Sequence, residues 1–350
     1  MLLGRYLAAA LWRGTLQVLL VLAALLLFVT LIGELEDIGV DGYEFTDALI
    51  YSMLQLPRSL LEVMAPVALL GTLAGLGALA GQRELLAMRA GGLSRRTLVV
   101  IVLTAAASIA LPTFLMADLA VPASQRVAQN LQAESAGGGA TRLGDRIWLR
   151  DEARFISVAR VESAQRLAGV QIYEFDGNRL TRVIAARAAR IEAGHWSLQD
   201  YRLTALSDAG ARAEQGDELA VPIAVGADLV ALFETQPEML SVRRLYRYID
   251  YLQRNELQAG DYQMVLWQRL SLPVSILVMS LLAVPFLYGS PRAGLARRLA
   301  VGVLFGVVFF LLQGTLASSA QIYGIHPALA AFAPPALAAG ITLFAFGRVR

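Results

Sequence analysis

The side chains of this chain that could do chemistry are arginines and carboxylates, because cysteine is absent and histidine occurs only twice among 350 residues. Thiol catalysis, cysteine-based zinc sites and disulfide scaffolds are therefore excluded. A Ser–His–Asp enzyme would have to use His195 or His326, which stand far apart in the sequence. We interpret both histidines as surface or packed residues.

All 30 basic residues are arginine. Without a lysine, the chain cannot contain the phosphate-binding sequence G-x-x-x-x-G-K-[ST] of P-loop ATPases. Any ATP-driven activity must therefore take its energy from a partner. The formal net charge of +2 gives no argument for nucleic-acid binding.

The composition predicts that membrane-spanning helices hold the arginines and carboxylates in place. Apolar residues make up 57% of the chain, charged residues only 17%, and the mean hydropathy is +0.56. A bilayer core of ~30 Å requires about 20 mostly apolar residues in a helix. Six segments satisfy this requirement, at residues 14–33, 57–80, 97–121, 262–288, 299–317 and 328–346.

The short loops predict the orientation of these spans, because arginines collect on one side and acidic residues on the other. The loop after the first span is acidic, and the loop before the sixth span has no charged residue. We therefore expect both termini in the cytoplasm and the long segment between spans three and four outside it. The arginines of the predicted cytoplasmic side are Arg5, Arg13, Arg83, Arg89, Arg95, Arg96, Arg292, Arg297, Arg298, Arg348 and Arg350.

The long segment predicts a β-domain. Short runs with β character recur every 8–14 residues and are broken by turn residues. The predicted runs are 146–150, 154–161, 169–175, 179–185, 188–193, 195–206 and 219–225. They are typical of an antiparallel sandwich or open barrel. A polar helix at 121–132 precedes them and a helical pattern at 239–257 follows. The predicted fold is an α-helical polytopic membrane protein of six transmembrane helices with an inserted all-β domain, divided as 1–122, 123–260 and 261–350.

One loop predicts a docking element. Residues 82–92 lie in the sequence GQRELLAMRAGGLSRRT between spans two and three and form a short amphipathic helix that a Gly-Gly pair ends. Such a helix is suited to bind in a groove of another protein. An interfacial helix that rests on the bilayer remains an equal alternative. Its polar residues are Arg83, Glu84 and Arg89, and its apolar residues are Leu85, Leu86 and Met88.

Two arginines fall within spans. Arg58 begins span two, and Arg269 lies about 10 Å into span four at 1.5 Å per residue. A lipid-facing arginine at that depth costs on the order of 2 kcal/mol or more, so Arg269 should face protein or a polar ligand. The alternative is an internal ion pair with Glu62 or Asp118.

The sequence resembles the LptF/LptG family of lipopolysaccharide export permeases over essentially its whole length. The likeness to the LptG branch is stronger in the acidic loop, the Glu84 stretch and IYGIHP, whereas VPFLYGSPRAG at 284–294 is closer to LptF. The matching stretches are Arg5-Tyr6, 57–97, Val121-Pro122, YQMVLWQRLSLP at 262–273, Pro291-Arg292 and IYGIHP at 322–327.

This resemblance implies a transporter half that extracts lipopolysaccharide from the Gram-negative inner membrane. An LptF-like sister permease would complete the cavity, and a dimer of the ATPase LptB would hydrolyse ATP, so the chain itself would be no enzyme and would bind no cofactor or metal. The β-domain would be a periplasmic β-jellyroll that joins LptC and LptA. The ATPase-coupling residues implied are Arg83, Glu84, Leu85, Met88 and Arg89.

The resemblance also implies phosphate contacts, because lipid A is a diphosphorylated glycolipid and guanidinium groups bind phosphate well. The candidates are Arg58, Arg126 and Arg269. Thr30 and Gln129 stand where the family tends to have basic residues, so contacts at those two positions do not carry over. The open alternatives are the LptF paralogue or another lipid-extruding permease, a membrane-embedded transferase, and a non-transport scaffold.

Overall fold

A computed structural model describes the chain at residues 2–39, 44–135, 147–151, 154–163, 165–176, 179–192, 195–207, 210–223, 237–287 and 295–348. The chain divides into two compact units, one helical and one containing a β-sheet. The segment Pro237–Leu245 belongs to the helical unit, and Tyr246–Ala259 belongs to the sheet unit.

Six helices of the described residues are long and apolar enough to cross a membrane, which confirms the predicted spans. Three are α1 (Leu2–Glu34), α2 (Phe45–Gly81) and α4 (Arg95–Leu115), which continues through a π-helical turn (Met116–Ala120) into α5 (Val121–Ser135). The other three are α7 (Gly260–Leu287), α8 (Leu295–Tyr323) and α9 (Pro327–Arg348). Two shorter helices, α3 (Glu84–Ala90) and α6 (Val242–Arg254), lie between spans in the sequence.

Helix α1 begins about a dozen residues before the predicted span, and packing explains the difference. Leu7 and Leu11 are each 1% exposed and belong to a core cluster with residues of α2, α4 and α7. Protein contacts, rather than lipid alone, therefore support the first turns of this helix. A hydropathy window detects only the part that lipid would favour.

Helix α2 is the centre of the helical unit. It packs against α1, α7 and α8, and its residues Val67, Ala68 and Leu69 have no exposed surface. Two neighbouring apolar clusters meet on this helix, one shared with α1 and α4, the other with α7 and α8. A helix that is apolar on all sides is expected at such a position.

Three glycines bring the backbones of α1 and α2 into direct contact. A Cβ on Gly14 would lie 2.5 Å from the backbone nitrogen of Gly75, and one on Gly71 would lie 2.5 Å from Oγ1 of Thr15. A Cβ on Gly75 would overlap the carbonyl oxygen of Ala10. Small residues spaced four apart allow this close approach in membrane helices.

The sheet unit contains six antiparallel strands in consecutive order, each hydrogen-bonded to the next. The strands are β1 (Ile147–Asp151), β2 (Arg154–Ser163), β3 (Arg166–Asp176), β4 (Arg179–Glu192), β5 (His195–Ser207) and β6 (Gly210–Val221). Cross-strand neighbours Ile156, Ile172 and Ile184 are almost fully buried and share one face, as the period of two requires. The all-β prediction is confirmed.

Strand boundaries differ from the predicted ones in two places. The runs at 179–185 and 188–193 form one strand, β4, because Ala186 and Ala188 keep their pairing to β5 across the weakly hydrophobic stretch. The run predicted at 219–225 starts at Gly210, since the polar residues of β6 pair with β5 although their side chains are mostly exposed. The described strands form a single hydrogen-bonded sheet. The jellyroll assignment stays a prediction.

Candidate functional sites

The first candidate site is the loop between α2 and α4. Its helix α3 has seven residues, Glu84–Ala90, within the predicted range 82–92. Arg83 adopts a left-handed backbone conformation with φ of 60°, so the chain turns sharply after α2 before α3 begins. Gly92 has φ of 100°, which is favourable for glycine and ends the helix as predicted.

The apolar side chains of α3 point in two directions. Leu85 is 4% exposed and lies in the core cluster of the helical unit, and Met88 packs partly against the same cluster. Leu86 is 62% exposed. The predicted docking face is therefore divided: Leu85 anchors α3 to its own chain, and Leu86 is free to contact another molecule. Arg83 is exposed, and the side chain of Arg89 lies outside the described residues.

A hydrogen bond connects Glu84 to the first span. The hydroxyl of Tyr6 donates to Oε2 of Glu84 at 2.8 Å, across 78 residues of sequence. Because Glu84 is the first residue of α3, this contact holds the start of the helix beside α1. The carboxylate keeps acceptor capacity for a second donor, since an ionised carboxylate has several lone pairs.

The second candidate site is a group of charged residues around Arg269. This arginine is 8% exposed, and its terminal nitrogens donate to the backbone carbonyl oxygens of Leu240 and Glu238, the latter at 2.6 Å. No carboxylate of the described residues lies within ion-pair distance of it, so Glu62 and Asp118 are not its direct partners. Its predicted role in substrate binding stays a prediction.

Arg58 contacts the same segment of chain from α2. Its guanidinium lies 3.4 Å from Oε1 of Glu238 and 3.8 Å from Oε1 of Glu62. The Arg58 side chain is 31% exposed and that of Glu238 34%, so the pair is partly screened by solvent. Glu238 thus contacts Arg58 through its carboxylate and Arg269 through its backbone carbonyl oxygen.

Asp118 contacts this segment from the third span. Its Oδ1 accepts a hydrogen bond of 2.6 Å from the backbone N–H of Val242, the first residue of α6. Asp118 lies in the π-helical turn Met116–Ala120. Such turns insert one extra residue into a helix and are frequent at functional sites. An acceptor for a free N–H at a helix start stabilises that start.

Arg126, the third predicted phosphate ligand, lies on α5 about 12 Å beyond Asp118 at the helical rise of 1.5 Å per residue. It is exposed, and it makes no hydrogen bond or ion pair with another described residue. Its neighbour Gln125 is buried and donates to the side-chain oxygen of Gln55 on α2. The three candidate arginines therefore differ: within the described residues Arg126 has no partner, Arg58 is paired and Arg269 is enclosed.

Neither histidine belongs to a metal site in the described part of the chain, where no group of three or more possible ligands occurs. His195 lies 3.2 Å from Glu192, three residues away on the adjoining strand, and Nδ1 of His326 accepts from the backbone N–H of Ala328. These are local contacts at strand and helix ends.

Sequence reasoning missed three members of these sites. Tyr6 stands in the quoted Arg5-Tyr6 pair, but no sequence signal connects it to Glu84. The sequence predicts Asp118 only as an ion-pair partner of Arg269, and no pattern in it marks Glu238. Their roles depend on contacts across 78, 124 and 180 residues, respectively.

Comparison with known proteins gives one family and several relatives. The chain matches the family described as "Lipopolysaccharide export system permease LptF/LptG" over residues 5–348. It is similar to the lipopolysaccharide export system permease protein LptG of Escherichia coli K12, with 29% identity over 345 residues, 95% of this chain and 94% of that protein. It is similar to LptG of Haemophilus influenzae at 27% identity, with 96% and 95% of the two chains covered.

Proposed function

Because the chain belongs to the LptF/LptG family of lipopolysaccharide export system permeases, we propose that it extracts lipopolysaccharide from the inner membrane and passes it toward the outer membrane. The main support for this proposal is that the family match covers residues 5–348, which include nearly all of the six spans and the whole described β-sheet. The chain is thus a permease subunit rather than a protein that shares one fragment with permeases.

We assign the chain to the LptG half of the transporter, with an LptF-like sister permease as its partner. The similar proteins from Escherichia coli and Haemophilus influenzae are both named LptG. Apolar side chains remain exposed along α1 and α8, including Val21 at 69% and Leu304 at 63%. Such faces fit either lipid or the apolar helices of a sister subunit.

The energy would come from a dimer of the ATPase LptB, since this chain has no lysine for a P-loop. Helix α3 is the proposed contact. Leu86 and the free lone pairs of Glu84 offer an apolar and an anionic contact on one short helix, while Leu85 and Tyr6 fix that helix to its own spans. A movement of the ATPase would therefore reach α1 and α2 through α3.

The proposed orientation has both termini in the cytoplasm and the β-domain in the periplasm. It is supported by the arginines on the α3 side of the spans. The β-domain would join LptC and LptA. Strands β1 and β6 are the edges of the described sheet, and an edge strand can pair with a strand of another chain.

Of the three candidate phosphate ligands, Arg126 is the one that is exposed and has no partner among the described residues. We propose it as the first contact of this chain with the lipid A phosphates. Arg58 could join it only by sharing or leaving Glu238. Arg269 would have to give up two carbonyl acceptors to bind phosphate.

The test is reconstitution. The chain is purified with its sister permease and LptB, inserted into liposomes that contain lipopolysaccharide, and supplied with LptC, LptA and ATP. We expect ATP-dependent transfer of lipopolysaccharide to LptA, measured by photocrosslinking from LptA. Transfer that does not depend on ATP, or stable assembly with no transfer at all, would refute the proposal and favour a scaffold.

A further inference from the structure

The segment Pro237–Val242 carries chain from the β-domain toward α6 and α7, and three spans bind it. Its first residues form a 3-10 turn, Pro237–Met239. Arg58 of α2 binds the side chain of Glu238, Arg269 of α7 binds two backbone carbonyls, and Asp118 binds the N–H of Val242. We call Pro237–Val242 the return segment.

The return segment is also enclosed. Met239 is 1% exposed and Leu240 has no exposed surface, so its two central side chains are fully packed. All of these contacts lie within the helical unit, to which Pro237–Leu245 belongs. A short turn with both its side chains and its backbone held is expected to move only with its surroundings.

The three polar contacts come from different spans. The position of the return segment therefore depends on how these three spans lie relative to one another. If α2, α4 and α7 shift against one another, the contacts to Arg58, Asp118 and Arg269 cannot all keep their geometry unless the segment shifts as well. Two of the contacts use backbone groups of the segment, which side-chain rotation cannot adjust. The π-helical turn aims Asp118 at this point by adding a residue to the helix.

We propose that Arg58, Asp118 and Arg269 are positioning residues that fasten the return segment to three spans, so that span movements during transport displace the chain leading to and from the β-domain. This inference rests on the proposed export function. It assigns Arg269 to the protein's own backbone, not to substrate, and it predicts that loss of the contacts uncouples lipid release from ATP hydrolysis.

The test compares variants by two readouts in the reconstituted complex: lipopolysaccharide transferred per ATP hydrolysed, and the position of the return segment. The position is measured as the distance between two spin labels, attached at Val127→Cys and Arg243→Cys. Both residues are exposed; Val127 lies in α5, and Arg243 lies in α6 directly after the return segment. Labelling is specific because the chain has no native cysteine.

The variants are Arg269→Gln, which removes the charged fork, and Asp118→Leu, which removes the acceptor. We expect each to lower transfer per ATP at least fivefold and at least to double the width of the label distance distribution, while ATP hydrolysis stays within twofold. The matched control is Asp118→Asn, which keeps an oxygen acceptor for the N–H of Val242. It should behave as wild type in both readouts.

A second set tests the Arg58–Glu238 pair. Arg58→Ala removes the contacts to both Glu238 and Glu62, so its effect should be at least as large as that of Glu238→Ala. The double variant should be no worse than Arg58→Ala alone, because the contact to Glu238 is then already lost. The exchanged pair Arg58→Glu with Glu238→Arg should recover at least half of the wild-type transfer. Glu238→Ala should leave the contact to Arg269 intact, since that arginine binds the backbone.

Three outcomes overturn the inference. Wild-type transfer and label distances in Arg269→Gln and Asp118→Leu would mean that the contacts position nothing. Equal loss of transfer and of ATP hydrolysis would mean that they serve assembly alone. Failure of Asp118→Asn would mean that the charge of Asp118, not its hydrogen bond, matters. If wild type transfers no lipopolysaccharide, the proposed function fails, but the label distances still test the fastening.

Discussion

The exposure of Leu86 allows the proposed ATPase contact to be tested quantitatively by the substitution Leu86→Ala. Burying a whole leucine side chain contributes ~1.5–3 kcal/mol, and the 62% exposure of Leu86 leaves about 60% of that gain, or ~1–2 kcal/mol, for docking. Since 1.4 kcal/mol corresponds to a tenfold change in affinity, the substitution should weaken binding of the ATPase about 5- to 30-fold.

The assay is a titration of the purified, detergent-solubilised permease pair with LptB, read out as a dissociation constant. Leu111→Ala is the matched control, because Leu111 is 63% exposed but lies on α4, sixteen residues after the start of that span. It should bind LptB as wild type does. Leu85→Ala is the contrasting variant: Leu85 is buried, so its loss should lower the stability of the helical unit by ~2–5 kcal/mol.

Two results would refute this reasoning about α3. If Leu86→Ala bound LptB with wild-type affinity, the exposed side chain would not be part of the contact, and an interfacial helix resting on the bilayer would be the better interpretation. If Leu86→Ala and Leu111→Ala weakened binding equally, the effect would come from general perturbation of the membrane helices.

Three further predictions concern coupling, topology and packing. Glu84→Arg should abolish ATP-driven transfer of lipopolysaccharide while the protein remains inserted in the membrane. Glu84→Gln should retain part of the transfer, because its amide oxygen can still accept a hydrogen bond from the hydroxyl of Tyr6. Normal transfer in Glu84→Arg would contradict the coupling role. A single cysteine at Arg212 should react with an impermeant thiol reagent added from the periplasm and one at Arg96 should not, and the opposite pattern would invert the topology. The leucine side chain of Gly75→Leu should overlap a backbone carbonyl of α1 and lower the free energy of unfolding by ~1–3 kcal/mol or more. Gly340→Leu is the control, because a Cβ there has open space, and it should keep the wild-type melting temperature. Equal melting temperatures of the two variants would disprove the close packing.

The type of the elements and the number of spans could be predicted from the sequence, because hydropathy and strand periodicity are local properties. The six spans, the all-β segment and the Gly-Gly end of α3 follow from residues that are close in the chain. The extra length of α1 could not be predicted this way, since Leu7 and Leu11 are buried by helices more than fifty residues away.

The candidate sites could be predicted only in part. The cost of burying Arg269 predicted that it should face protein or a polar ligand, and the structure gives it two backbone carbonyls. No carboxylate was needed, because carbonyl dipoles can also satisfy a guanidinium. Which carbonyls lie there depends on how a segment thirty residues earlier folds back, and periodicity contains no information about that.

The glycine contact between α1 and α2 has a mechanical consequence. Where the two backbones touch, at Gly14, Gly71 and Gly75, no long side chain separates them that could slide or change rotamer, so α1 and the second half of α2 should turn together. Helix α2 is about 55 Å long, given its 37 residues, and Pro66 lies between the glycine contacts and Arg58. Helix α3, tied to Tyr6, sits at one end, and Arg58 lies in the opposite half of α2. A tilt imposed at α3 would therefore be carried by α1 and the second half of α2 together, and bending at the interior prolines would set how far Arg58 moves.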